Sequence, residues 1–182
     1  RGYTVERFAV PEQRVRDYGM VSVTNLIVRH KFGNGGPTIA LNAHGDVVPP
    51  GDGWSFDPYG GEVKDGRMYG RGVAVSKSDI ASFTFALDAL KAAEKSGAKL
   101  NGTVELHFTY DEEFGGLVGP GYLLEQKATK PDFVIGASFS YAIVTAHNGC
   151  LQFEVTVHGT ATHGSMPETG HDALQAANAI LN

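Results

Sequence analysis

Short apolar runs alternate with segments of helical spacing along most of the chain. Four such runs predict strands, at residues 21–28, 38–43, 103–110 and 133–136. A helix is predicted over residues 77–96, and its apolar stripe consists of Ile80, Phe83, Leu87 and Leu90. A shorter helix is predicted at residues 121–127. Strands separated by helices are typical of an α/β sheet that carries helices on its faces.

Turn and cap signals add local detail to this pattern. The glycine-rich segment 33–36 predicts a hairpin turn between the first two strands. Ser76 stands directly before the long helix and Asp79 follows three residues later, so the pair predicts a capping box. Gly97 is a C-terminal stop signal for the same helix.

The texture of the chain changes after Gly149. Apolar and polar residues alternate over residues 151–157, which predicts a half-buried strand of antiparallel type. A polar loop follows, and a second-domain helix is predicted to begin near His171. We therefore expect one domain at residues 1–148 and the start of another at residues 149–182.

Composition and charge narrow the class of protein. The formal net charge of −5 and the lack of a basic run argue against a nucleic-acid partner. No apolar stretch reaches the length of a membrane span, so no membrane partner is expected. Cys150 is the single cysteine, which excludes an internal disulfide and favours a reducing, cytoplasmic location. The opening Arg1–Glu6 resembles the interior of a protein, so we expect the natural chain to begin upstream.

Candidate chemistry lies at the ends of two predicted strands. His44 and Asp46 follow one strand, and Glu112 and Glu113 follow another. Ligands of open α/β sheets bind beyond the carboxyl ends of the strands. Alone, each pair is also consistent with a solvated turn; together they favour a metal ligand beside a general base.

The chain resembles the cocatalytic zinc exopeptidases and amidohydrolases, which include aminoacylase, acetylornithine deacetylase, succinyl-diaminopimelate desuccinylase and a glutamate carboxypeptidase. The resemblance runs from about Tyr3 to the last residue. The matching stretches are 44–51, 54–58, 65–72, 111–116 and 159–167.

The resemblance implies a three-layer catalytic domain with a mixed sheet, followed by the start of an α+β, ferredoxin-like lid and dimerisation domain. It implies zinc ligation by His44 and Glu113, with Asp46 supporting His44 and Glu112 as general base. It also implies that His163 belongs to the lid and stabilises the oxyanion in the active site of a partner subunit. The family's chains are longer and carry a further histidine ligand downstream.

Two positions depart from the family pattern. A bridging aspartate is replaced by Val75, and an acidic zinc ligand is replaced by Ala137, neither of which can bind a metal. Replacement ligands are considered at Asp79 and at three residues after Ala137, namely Ser138, Ser140 and His147. Asp79 is better explained by the capping box, and His147 by a hinge histidine that hydrogen-bonds to backbone. We therefore expect one zinc ion or none, with cobalt or manganese as alternatives.

Two functions remain open from the sequence. One is a metal-dependent hydrolase, acting on amide bonds in small N-acyl amino acids or peptides as a homodimer. The other is a divergent, weakly active or non-catalytic relative that binds a small ligand or acts through assembly of its lid. The loss of two ligand positions favours the alternative, but Glu112, His163 and the His44–Asp46 pair are all retained, so the hydrolase is the function that we expect.

Overall fold

The computed structural model describes residues 1–137, 143–146, 148–149, 151 and 153–182. The chain divides into two compact units, Arg1–Tyr141 and Ala142–Asn182. Within the described residues of the first unit, the strands are β1 (Glu6–Ala9), β2 (Thr24–Phe32), β3 (Thr38–His44), β4 (Glu62–Lys64), β5 (Arg67–Tyr69), β6 (Gly102–Thr109) and β7 (Phe133–Gly136). Its helices are α1 (Glu12–Asp17), α2 (Lys77–Lys95) and α3 (Pro120–Glu125), with a 3-10 turn at Glu112–Phe114. The second unit contains a 3-10 turn at Pro167–Thr169 and α4 (Ala173–Leu181).

The first unit is built on a mixed sheet with the strand order β1-β2-β6-β3-β7. Strand β6 runs parallel to β3 and antiparallel to β2, and β7 runs parallel to β3. Strands β4 and β5 form a separate hairpin. The predicted α/β class with a mixed sheet is therefore confirmed.

The predicted hairpin between the first two strands is wrong. Strands β2 and β3 are not neighbours, because β6 is inserted between them and pairs with both. The intervening loop crosses the start of β6, where a side chain on Gly36 would come within 2.8 Å of the backbone of Asn101 and Gly102. Glycine at this position reflects close backbone approach and not a two-strand turn.

Helix α2 covers the sheet as its apolar stripe predicts. Leu87 is fully buried and belongs to a cluster with Val28, Phe32 and Leu106, which come from β2 and β6. Truncation of such a leucine to alanine costs about 2–5 kcal/mol. A second cluster of buried valines packs α1 against the segment before α3; its members are Val10, Val15, Val23 and Val118.

The sheet interior also contains a buried polar network. Glu105 accepts a hydrogen bond from Arg29 Nε at 2.7 Å, and its other carboxylate oxygen lies 2.7 Å from His107 Nε2. The same oxygen accepts a bond from the Thr129 hydroxyl. Glu105, His107 and Thr129 are all at least 90% buried. The carboxylate is thus surrounded by donors, as a buried charge requires.

The second unit corrects one strand prediction. The described residues among 151–157 form no strand, and the pairing seen nearby is a bridge between Thr160 and His171. A strand needs a neighbour to satisfy its backbone groups, and the alternating pattern does not provide one. The helix predicted near His171 is present as α4, and Asp172 caps it by accepting bonds from the amides of Leu174 and Gln175.

Candidate active site

Two chain segments meet at the end of the main sheet where the neighbouring strands β3 and β6 both terminate. His44 is the last residue of β3, and the turn that carries Glu112 and Glu113 follows β6. The two strands are parallel, and His44 pairs with Thr109, so both strands end at the same level. The residues that the sequence places at two strand ends are therefore close in space.

The His44 imidazole is buried and its two nitrogens face different groups. Its side chain is 8% exposed. Nδ1 lies 3.1 Å from the Asp46 carbonyl oxygen and 3.3 Å from Asp46 Oδ1, whereas Nε2 lies 3.8 Å from Glu112 Oε2. Engagement of Nδ1 leaves Nε2 directed at the carboxylate side, which is how a metal-binding histidine is normally oriented.

Asp46 joins the two halves of the site. Its Oδ2 accepts a hydrogen bond from the Glu113 backbone amide at 3.0 Å. Its side chain is 11% exposed, although the bond to the Glu113 amide lies in an exposed part of the site. Asp46 thus fixes the position of Glu113 as well as the orientation of His44.

Gly45 separates His44 from Asp46 for a steric reason. A side chain at this position would come within 2.3 Å of the Tyr110 ring. The Tyr110 ring therefore packs directly against the backbone of the His44 loop. Burial raises the pKa of Tyr110, so its hydroxyl stays protonated at neutral pH.

Ser76 has a different role from the predicted one. Its side chain makes no capping bond to α2; instead its Oγ accepts a hydrogen bond from the His44 backbone amide at 3.3 Å. The capping box with Asp79 is therefore not formed, and the Asp79 amide bonds to the Ser76 carbonyl oxygen at 3.0 Å. Ser76 is fully buried, which places its hydroxyl within reach of the strand end and away from solvent.

Asp111 supports the turn that carries the two glutamates. It is 1% exposed, and its Oδ2 accepts a hydrogen bond from the Val118 amide at 2.7 Å. Burial raises the pKa of Asp111; hydrogen bonds from the Gly119 and Val118 amides oppose this rise, and the neighbouring Asp46 adds to it. In the sequence, the position of Asp111 directly before the Glu112–Glu113 pair is the signal that points to this role.

The three side chains that could hold a metal ion are His44, Glu112 and Glu113. Their ligand atoms lie within 4.8 Å of one another, and this is the one such group found among the described residues. Asp79 is not part of it. Ser138, Ser140 and His147 fall outside the described residues, as does Cys150.

His163 lies in the second unit and is described there by itself. Its Nδ1 is 2.8 Å from Ser165 Oγ and accepts a hydrogen bond from the Ser165 amide at 3.2 Å. The ring is exposed. These local contacts hold the ring through Nδ1.

Comparison with known proteins gives consistent matches. Residues 40–177 match the description "Peptidase family M20/M25/M40", which is more than half of the chain. The chain is 36% identical over 155 residues to a succinyl-diaminopimelate desuccinylase of Sulfurimonas denitrificans, covering 80% of this chain and 40% of that protein. It is 33% identical over 175 residues to the desuccinylase of Gluconobacter oxydans, covering 91% of this chain and 43% of that protein.

A solved structure shares the fold. A tripeptidase from Staphylococcus aureus superposes with a TM-score of 0.57 at 18% identity, over 100% of this chain and 47% of that chain. The chain therefore spans less than half the length of the proteins that it matches here. None of the described helices combines the length and the apolar composition that crossing a membrane requires.

Proposed function

The chain belongs to peptidase family M20/M25/M40, and from this premise we propose that it is a metal-dependent hydrolase of amide bonds in small N-acyl amino acids or peptides. The observation that carries the proposal is the convergence of His44, Glu112 and Glu113 at one sheet edge. Relatives named as desuccinylases support a substrate with an acyl group on a small amine.

The donor set suits a divalent metal ion. An imidazole nitrogen and carboxylate oxygens are ligands that zinc accepts, with cobalt or manganese as alternatives. His44 and Glu113 would hold the ion, which would polarise the amide carbonyl when bound. Asp46 would orient His44 through Nδ1 and Glu113 through its backbone amide.

Glu112 is the proposed general base. Its side chain is 62% exposed, so water can reach it, and its Oε2 lies 3.8 Å from His44 Nε2. Glu112 would take a proton from the attacking water as the new C–O bond forms. It would then pass that proton to the leaving amine as the C–N bond breaks, which returns the carboxylate to its starting state.

His163 is the proposed oxyanion-stabilising residue, acting in the active site of a second subunit. The family resemblance supports this role. The role requires that His163 belong to a lid domain and that the protein form a homodimer. Mixing a His163→Ala chain with a Glu112→Gln chain tests it, because each is expected to be inactive alone. Mixed dimers should regain activity; subunit exchange without recovery would contradict action in trans.

A cytoplasmic location also stays a prediction.

Glu112→Gln tests the hydrolase proposal directly. The amide keeps the shape of the side chain but cannot accept the proton, so turnover of N-succinyl and N-acetyl amino acids should fall about 10²-fold or more. Glu125→Gln, which alters an exposed ion pair with Arg14, is the control and should keep full activity. Full activity of the Glu112 variant would exclude Glu112 as the base.

A non-catalytic relative is the second candidate function. It is favoured by the aliphatic side chains at Val75 and Ala137, where the family resemblance implies metal ligands. This candidate predicts that purified protein binds a metal or a small acyl amino acid without hydrolysing it. Calorimetric binding measured beside turnover separates the two functions.

A further inference from the structure

We propose that the site holds one divalent cation shared by His44 and Glu113, and not the pair of ions that the family resemblance implies. That the site binds a metal at all rests on the proposed function. The number of ions follows from the ligand groups that the chain supplies at this edge of the sheet.

The described residues supply too few ligand groups at this end of the sheet for two ions, because the metal-binding group contains one imidazole and two carboxylates. Two ions at the usual spacing of about 3.5–4 Å each need their own ligands and a group that bridges them. A single catalytic ion needs only about three protein ligands and an open position; His44 and Glu113 supply two, and the downstream histidine that the family resemblance implies would be the third.

Val75 and Ala137 stand where further ligands would be needed. Val75 directly precedes Ser76, whose Oγ accepts the His44 amide proton. The Ala137 amide donates to the Asn42 carbonyl oxygen at 2.9 Å, two residues before His44. Both positions therefore lie at the edge of the sheet that carries the site. Their aliphatic side chains have no lone pair to offer a metal.

The remaining groups are close enough to share one ion. Metal bonds of about 2.0–2.2 Å place two ligand atoms of one zinc ion at most about 4.4 Å apart. The ligand atoms of the group lie within 4.8 Å of one another, so small side-chain movements bring them together. The family resemblance implies Glu113 as the second ligand, and Asp46 holds the Glu113 backbone against the His44 loop.

Metal content of the full-length protein tests the inference. After equilibration with zinc and removal of excess, native mass spectrometry and elemental analysis should give one ion per chain. His44→Ala and Glu113→Gln should each weaken zinc binding by at least about 100-fold, more than loss of a supporting group does. Glu112→Gln should retain one ion with affinity within about threefold of the unsubstituted chain, because Glu112 is not a ligand.

The chain offers a matched control pair. His30 Nε2 lies 3.7 Å from Glu94 Oε2, a spacing close to that of the His44 and Glu112 side chains, yet this pair is not part of the metal-binding group. His30→Ala and Glu94→Gln should therefore keep one ion. Circular dichroism of every variant separates loss of the site from loss of the fold.

Each outcome decides the matter. Two tightly held ions, or none, would overturn the single-ion proposal, and loss of the ion in Glu112→Gln would overturn the ligand assignment. Hydrolysis is measured separately on the same preparations. One ion without turnover would refute the proposed function and leave this inference standing.

Discussion

His44 and His107 both face carboxylates on the same sheet, one at its edge and the other in its interior. Around His107, the Glu105 carboxylate receives hydrogen bonds from Arg29 and Thr129 besides its contact with the imidazole. At the edge, His44 Nε2 faces Glu112 at 3.8 Å, beyond hydrogen-bonding distance. Similar residue types thus form a hydrogen-bonded network around His107, whereas Nε2 of His44 makes no hydrogen bond to Glu112.

The difference shows how structural and functional polar clusters can be separated. Buried polar groups are normally paired, so a satisfied cluster contributes to a specific fold. A cluster whose carboxylates remain exposed and whose imidazole is only half engaged is available for a ligand. The same change of glutamate to glutamine should therefore lower stability at position 105 and lower turnover at position 112.

The largest expected stability effect is that of Glu105→Gln. Removing one partner of a buried ion pair costs about 3–5 kcal/mol, and we expect about 3 kcal/mol because the Arg29 side chain is 28% exposed. Chemical unfolding measures the change. Glu125→Gln is the control, since its exposed pair should contribute less than about 1 kcal/mol. Equal stability of the two variants would show that the interior network is not structural.

Asp46→Asn should weaken metal binding without unfolding the protein. Loss of a group that orients a ligand typically costs about 10–100-fold in metal affinity, and the Asp46 carboxylate lies 3.3 Å from His44 Nδ1 and accepts the Glu113 amide hydrogen bond. Competition with a chelator measures the affinity. Asp79→Asn is the nearby control and should change affinity less than about twofold. A strong effect at Asp79 would instead identify it as a replacement ligand.

Ser76→Ala should destabilise the edge of the sheet by about 1 kcal/mol, because the buried His44 amide loses its acceptor. Metal affinity should fall in parallel, since the same bond positions His44. Ser78→Ala is a matched control on the exposed side of α2, where the hydroxyl bonds to the Ala74 carbonyl oxygen. Thermal unfolding with and without zinc compares them; equal shifts would argue against the Ser76 contact.

The smallest expected effect is a pH dependence of stability from the interior network. Burial lowers the pKa of His107 below 6.5, so the unfolded chain takes up this proton first as pH falls. The stability from neutral His107 is complete above pH 6.5 and is lost as pH falls through the folded-state pKa. As pH falls from about 8 to 5, the free energy of unfolding should decline in the unsubstituted chain and should decline less in His107→Gln. Identical profiles would contradict this assignment.

Glu105 extends the same trend to lower pH. Burial alone would raise its pKa, but hydrogen bonds from Thr129, Arg29 and His107 outweigh burial and hold the pKa below 4.5. Its contribution is therefore present above pH 4.5 and is lost as pH falls through the folded-state pKa.

Local patterns predicted the elements of the first unit well. The strand at Phe133–Gly136 has the predicted bounds, and α2 ends within one residue of its predicted end. The meeting of His44 with Glu112 at one sheet edge also follows from their positions at strand ends. These features depend on side-chain periodicity and chain direction, which a sequence displays directly.

Other features depended on partners far away in the chain. The segment 6–9 became β1 by pairing with β2, and β6 separated β2 from β3 because strand order is decided by the total of non-local pairings. The Ser76 hydroxyl accepts a bond from the His44 amide and does not cap its own helix, because the fold brings these two buried residues together. The described residues among 151–157 form no strand, because an alternating pattern alone does not supply a strand neighbour.

The sequence by itself therefore determined four strands of the first unit (β2, β3, β6 and β7) and two of its helices (α2 and α3), which residues are candidates for the chemistry, and which positions depart from the family's ligands. Only the tertiary structure decided the strand order, the acceptor of the His44 amide and the division of polar groups between interior and edge. The physical reason is range: periodicity acts over a few residues, whereas burial and hydrogen-bond satisfaction depend on residues brought together by the fold.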